Sequence, residues 1–200
     1  MGSGTVQPST ADNYLLNKYP TTNSGTETGM QVASYSSSRN RRAIFTMDFS
    51  SLSIPAGSTI NVATLSLYAS YSSAGRTIEV YRVLRADWSE AQSTWNIYKT
   101  GNNWTTAGCG SDGNDYTSVD MVSFAGASGW NNCSVVAQVQ TALDSIGSIS
   151  HFLLKDSSEN SATEKIQEYR TKEFSTASVR PKLYIEWTPP VTFTPRGIFI

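Results

Sequence analysis

Ile60-Asn61-Val62-Ala63-Thr64-Leu65-Ser66-Leu67-Tyr68 decides the fold, because Leu65 and Leu67 share one face of an extended chain and Ser66 takes the other. A side-chain period of two is the repeat of a strand buried on one side. The period returns in Thr77-Ile78-Glu79-Val80-Tyr81-Arg82-Val83, which puts Ile78 and Val80 inward and Glu79 and Tyr81 outward. It returns again in Ala43-Ile44-Phe45-Thr46-Met47-Asp48-Phe49, with Phe45, Met47 and Phe49 on one face. Further strands are expected over 13–16, 30–34, 117–124, 150–155, 165–170 and 181–187. Turn chemistry such as Pro55-Ala56-Gly57 and Ser72-Ser73-Ala74-Gly75 separates them.

One segment breaks the rhythm. Val135, Val136, Val139, Ala142, Leu143 and Ile146 recur at helical spacing, with Ser134 placed to cap the start and Gly147 to end it. The spacing predicts a short helix over 134–145. About ten short strands with one helix predict an all-β fold, a jelly-roll β-sandwich, over residues 11–188. Residues 1–10 read as an N-terminal arm, and 189–200 as an extended apolar tail whose prolines forbid a ladder strand. Phe193, Ile198, Phe199 and Ile200 are too apolar for a free tail, so it is expected to fold back on its domain or to dock into a neighbouring subunit or capsid protein.

Two hundred residues suffice for one proper core. Only 16% of them are charged, while Ser, Thr, Asn, Gly and Tyr abound, the make-up of a β-rich surface protein. A formal net charge of -1 builds no field for nucleic acid. Arg39, Arg41 and Arg42 form the only concentrated positive patch, either a solvated strand edge or a site for an anionic ligand. No apolar run approaches the ~20 residues that span a bilayer, so no membrane insertion is expected. The first residues carry neither a basic nor an apolar segment and read as no signal peptide. Cys109 and Cys133 sit among Gly, Asn and Ser, a setting that suits a disulfide closing a loop of about 25 residues, worth ~3 kcal/mol; two unrelated thiols are the alternative. Two cysteines and one histidine make no structural zinc site.

Three of the five tryptophans crowd into one polar stretch, Asp87-Trp88-Ser89-Glu90 to Thr94-Trp95-Asn96 and on to Trp104 and Gly108. An indole needs cover for its ring and an acceptor for its N–H. Such a loop is either a packed cap over a β core or a stacking surface for a ligand. Sugar binding needs aromatic faces ringed by polar groups, and Tyr68, Tyr71, Tyr81, Tyr98, Trp104 and Trp130 are candidates. Tyr71 and Tyr81 read as outward, Trp88 and Trp95 as packed. An acidic glycan would use Arg39, Arg41 and Arg42 through charge-assisted bonds.

Catalytic chemistry is scarce. The only histidine, His151, opens an apolar strand and reads as structural, and no Gly-x-Ser-x-Gly elbow accompanies it. Asp87 and Glu90 could pose as an acid–base pair, but beside Trp88 and Thr94 they read as partners that fix the loop backbone. The expectation is therefore a protein that is not an enzyme. Gly110-Ser111-Asp112-Gly113-Asn114-Asp115 offers hard oxygens beside glycines, making Asp112, Asn114 and Asp115 candidate ligands of a structural calcium, without EF-hand spacing.

Several pieces follow one another in order along residues 11–187: Asp12-Asn13-Tyr14-Leu15, Arg42 to Leu52, Ile60 to Tyr68, and Asp87-Trp88-Ser89-Glu90 with Thr94-Trp95-Asn96. Phe152-Leu153-Leu154, Tyr169-Arg170-Thr171-Lys172-Glu173-Phe174 and Arg180-Pro181 with Leu183 and Ile185 complete the series. In that order they resemble the domains grouped as carbohydrate-binding module family 96, also called DNRLRE domains. The resemblance implies a jelly-roll sandwich without catalytic machinery, appended to polysaccharide-degrading enzymes or displayed on surface proteins. Such domains are also similar to parts of phage structural proteins. Two functions compete. One is a non-catalytic carbohydrate-binding, surface-adhesion module whose partner is a polysaccharide or surface glycan. The other is a structural virion subunit, a head decoration or fibre-like block, assembled through the tail. Either places the chain outside the cell or on a virion surface.

Overall fold

The computed structural model describes residues 1–145 and 147–191. Ile146 and the tail residues Phe193, Ile198, Phe199 and Ile200 lie outside the described residues.

In chain order the strands are β1 (Gly2–Val6), β2 (Ala11–Leu16), β3 (Gly29–Ser34), β4 (Arg41–Asp48), β5 (Thr59–Ser72), β6 (Thr77–Val83), β7 (Ile97–Lys99), β8 (Asn102–Asn103), β9 (Tyr116–Ala125) and β10 (Gly129–Ser134). Helix α1 (Val136–Ser145) follows, then β11 (Ile149–Asp156), β12 (Lys165–Arg170) and β13 (Lys182–Thr188). All strand pairings are antiparallel, and they define two layers. The first runs β2-β4-β11-β6-β9. The second runs β1-β13-β5-β10, with β12 and then β3 continuing from the far end of the long β5. A single pairing, Ala33 with Arg41, joins the layers at a corner.

The sequence alternation explains what lies between them. Phe45 and Met47 of β4, Ile78 and Val80 of β6, and Phe152 and Leu154 of β11 meet Met30, Val32, Leu65, Leu67, Tyr169, Leu183 and Ile185 of the second layer. The Phe45 and Phe152 rings stack at 5.3 Å. Each such side chain gains about 1.5–3 kcal/mol on full burial. Helix α1 packs on β5 and β11 and adds Val139 and Ala142 to this core. The fold is thus the all-β sandwich with one helix that periodicity predicts.

Three details differ from the sequence reading. The helix starts at Val136, because Ser134 is the last residue of β10. The expected arm over 1–10 supplies β1, paired along β13 from Gly2 opposite Trp187 to Val6 opposite Leu183. Its Gly-Ser-Gly-Thr composition hides the strand, but the backbone ladder does not depend on side chains. The glycines let large neighbours close in: a Cβ on Gly2 would lie 2.5 Å from the Trp187 ring, and one on Gly4 2.6 Å from Leu52. Finally, β4 and β11 are buried on both faces. A second core therefore lies on the outside of the first layer.

Candidate functional site

Leu15, Ile44, Tyr81, Val83, Tyr116 and Leu153 form that second core together with the tryptophan loop. Trp88 and Trp95 are each 8% exposed and Trp104 4%. Two of the three indole N–H groups find acceptors inside the cap. The Trp104 indole N–H donates to the Thr94 carbonyl at 2.9 Å, and the Trp88 indole N–H donates to Nδ1 of His151 at 3.3 Å. Thr46 Oγ1 lies 2.8 Å from the same nitrogen. Burial lowers the His151 pKa, so the ring is held neutral as an acceptor.

Arg42 locks the cap. It donates twice to Glu159, at 2.7 Å each, and once to the Gly108 carbonyl at 2.8 Å, with its guanidinium 5.0 Å from the Trp95 ring centroid. Gly108 has φ +78°, and a Cβ there would lie 2.7 Å from the Trp95 indole. Only glycine fits both demands.

Of the two readings of the tryptophan loop, the structure therefore takes the packed cap. This corrects three expected ligand contacts. Trp104 is packed under its own loop. Arg42 is spent on Glu159, Gly108 and Trp95. Tyr81 does face outward from its strand, but the cap covers that face: its ring meets Tyr116 at 4.8 Å and its hydroxyl donates to Glu79 at 2.6 Å. Alternation assigns a side chain to a face and says nothing about what covers that face.

The cysteines correct a fourth expectation. Cys109 is buried in the cap and Cys133 in the core between the layers, and both are free thiols. The first layer separates them, so a favourable loop length has no geometry to act on. Burial raises both thiols, that of Cys133 to about 12, so neither is a ready nucleophile.

The acidic loop is organised by its own donors. Asp115 is fully buried and accepts the backbone N–H groups of Thr105, Thr106 and Ser111 at 2.9–3.1 Å. Burial raises its carboxyl, but those three donors prevail and hold it below the ordinary value. Asp112 accepts the backbone N–H and hydroxyl of Ser118, and the Asn114 amide donates to Ser111 Oγ.

A different carboxylate group comes together at the cap's edge. One oxygen from each of Asp12, Glu90 and Glu173 lies within 4.8 Å of the others. Asp12 comes from β2, Glu90 from the tryptophan loop and Glu173 from the turn after β12. Glu90 accepts the Asp12 backbone N–H at 2.7 Å and the Lys172 ammonium at 2.9 Å, and Lys172 also pairs with Glu173. Burial pushes the Asp12 carboxyl up to about 7. Sequence reasoning singled out Glu90 and quoted the Asp12 and Glu173 motifs, but it had no means of joining the three.

The outer face of the second layer is the opposite of the cap. Thr64, Ser66, Tyr68 and Ser70 of β5 line it, flanked by Trp130 and Asn132 of β10 and by Lys182 and Tyr184 of β13. Trp130 sits directly across from Tyr68, edge to face at 5.4 Å, and is 37% exposed. The Lys182 ammonium lies 4.2 Å from its ring centroid. Further along, Tyr71 is 56% exposed opposite Glu168. A polar row runs beside it: Arg41 donates to Gln31 at 2.6 Å, Gln31 to Glu168 at 2.8 Å, and Ser70 to Glu168 at 2.9 Å. Arg39 stands apart, exposed and 5.1 Å over the Tyr35 ring. Sequence reasoning named Tyr68, Tyr71, Trp130 and Arg41 but missed Lys182, Gln31 and Glu168, whose place depends on strand register.

A sheet face with exposed aromatic rings and hydrogen-bonding neighbours has the chemistry that suits an extended polar ligand. Comparison with known families matches residues 4–186 to carbohydrate-binding module family 96. The chain belongs to that family. No curated protein matches it in sequence. A carbohydrate-binding module is typically non-catalytic, in keeping with the one histidine serving as an acceptor for Trp88. The match spans both layers, the cap and the open face of the module. Many of the motif residues that carry the resemblance are internal. Asn13, for instance, donates to the carbonyl and hydroxyl of Ser93 at 2.9 and 2.7 Å and accepts the backbone N–H groups of Tyr14 and Ser24.

Proposed function

We propose that this module holds a polysaccharide or surface glycan on the open face of the second layer, with Trp130 and Tyr68 as the stacking platform. The exposed Trp130, braced edge-on by Tyr68 in a family of carbohydrate-binding modules, carries the reading. Aromatic rings offer an apolar body to a sugar face, and a few placed polar groups then fix its orientation. Lys182 has a flexible stem and can lift from the ring to donate to a sugar oxygen. Tyr71 and the row Arg41, Gln31 and Glu168 extend the surface towards further sugar units. A buried indole such as Trp104 has no free face to offer.

The reading implies an extracellular or virion-surface setting. The structural-subunit alternative rests on Phe193, Ile198, Phe199 and Ile200, outside the described residues, and no observation favours it. A glycan array of neutral and acidic polysaccharides, followed by calorimetric titration of the best ligand, tests the proposal. Replacing a central aromatic anchor costs 2 kcal/mol or more, so Trp130→Ala should weaken binding by about 30-fold. Failure of the folded module to bind any polysaccharide, or unchanged affinity in Trp130→Ala, would overturn it.

A further inference from the structure

Three carboxylates meeting at one point call for positive charge, and the hydrogen bonds around them do not supply enough. Asp12 is 1% exposed. Its Oδ2 accepts the Ser9 hydroxyl at 2.6 Å and the Lys172 backbone N–H at 3.0 Å, but its buried Oδ1 has no partner. The buried Oε2 of Glu173 has none either. Asp12 and Glu173 approach each other side chain to side chain, so these donor-less buried oxygens need a bridge, a shared proton or a cation, because an unpaired buried acceptor forfeits its hydration without return. Among the described residues Lys172 is the one cation paired with the cluster, and its ammonium is taken by Glu90 and by the other oxygen of Glu173. Fully ionised, as they would be around a bound ion, the three carboxylates and one ammonium carry a net charge of -2, which a divalent ion would neutralise.

The geometry points to a binding site for one hard divalent cation, of the calcium class, formed by Asp12, Glu90 and Glu173. All three ligands are carboxylates, which hard cations prefer, and the cluster retains some access through the partly exposed Glu90 and Glu173. The ion would bridge the orphaned oxygens of Asp12 and Glu173 and draw on Glu90, while Lys172, on its flexible stem, turns outward. Because the ligands come from β2, the tryptophan loop and the turn after β12, the ion would tie the cap to both layers. This inference stands apart from the glycan reading, since the open face shares none of these residues.

The test uses the whole chain, stripped with a chelator and titrated with calcium chloride, then with magnesium chloride. One calcium per chain is expected, with a dissociation constant of about 0.1–1 mM, the range of extracellular calcium modules. The melting temperature should rise by several degrees in saturating calcium. Glu173→Gln should weaken binding by more than about tenfold, and Glu90→Gln serves as a second variant should that one misfold. Lys172→Gln should bind more tightly, because it removes the competing ammonium. Asp112→Asn, in the separate acidic loop, should bind like the parent. Absence of binding up to about 10 mM of either ion, well above that range, would overturn the proposal and leave a shared proton as the bridge between Asp12 and Glu173. Binding that survives Glu173→Gln and Glu90→Gln, or is lost in Asp112→Asn, would overturn it equally.

Discussion

The two outer faces of the sandwich make a controlled comparison. Both are antiparallel sheet faces, and both carry tryptophan and tyrosine. On the first layer, three tryptophans from a single loop fold down over Ile44, Leu153 and Tyr81, and every indole with a described partner bonds within the protein. On the second, Trp130 and Tyr68 stand on the strands themselves, and no loop among the described residues folds over them as the tryptophan loop does over the first. The difference teaches that aromatic content alone does not mark a binding surface. What matters is whether the chain supplies a lid. The cap also demands supporting chemistry, seen in Arg42, Gly108 and His151, whereas the open face keeps its polar groups in a row along the surface.

The largest expected effect separates the faces by stability. Trp95→Ala removes a buried indole together with the partner of Arg42 and Gly108, and should cost about 3–5 kcal/mol. Thermal unfolding should fall by roughly 10 °C or more for a chain of this size. Trp130→Ala, at a cross-strand pair on the surface, should cost about 1 kcal/mol or less in the same assay. Equal losses at the two positions would erase the distinction.

A smaller effect probes how tightly the cap closes. Gly108→Ala introduces both a Cβ against the Trp95 ring and an unfavourable positive φ, and should destabilise by about 1–3 kcal/mol. Chemical denaturation would show this as a lower midpoint with an unchanged slope.

The smallest effect is a pH dependence confined to the cap. His151 is buried with its pKa lowered, so the fold favours the neutral ring. Its contribution to stability is complete above the ordinary histidine pKa and is lost as pH falls through the depressed value. The slope is at most about 1.4 kcal/mol per pH unit for one proton. A protonated Nδ1 could no longer accept the Trp88 N–H. Stability curves between pH 7 and about 5 should therefore flatten in His151→Asn relative to the parent. Parallel curves would mean that the cap does not depend on the neutral ring.

Much of this was legible in the residues, and the limits have physical causes. The period-two runs in β4, β5 and β6 fixed the inner faces, and helical spacing found α1 to within two residues. The tryptophan loop posed the right question without answering it, because cover is a tertiary fact. Loop spacing likewise suggested that Cys109 and Cys133 could pair, while an intervening sheet keeps them apart. β1 was invisible because glycine and serine carry no alternation, although its backbone completes the edge of β13. The open face was half legible. Alternation nominated Tyr71, but Lys182 reaches Trp130 only through the register that sets β10 and β13 on either side of β5.

Central to the account is that sugar meets the open face and never the cap, and the five indole N–H groups of the chain report on both at once. A two-dimensional nitrogen–proton spectrum of the labelled module, titrated with the polysaccharide that the array selects, reads them separately. The account predicts that the Trp130 indole signal shifts or broadens while those of Trp88, Trp95 and Trp104 stay in place. Movement of the cap signals with Trp130 unchanged would contradict it.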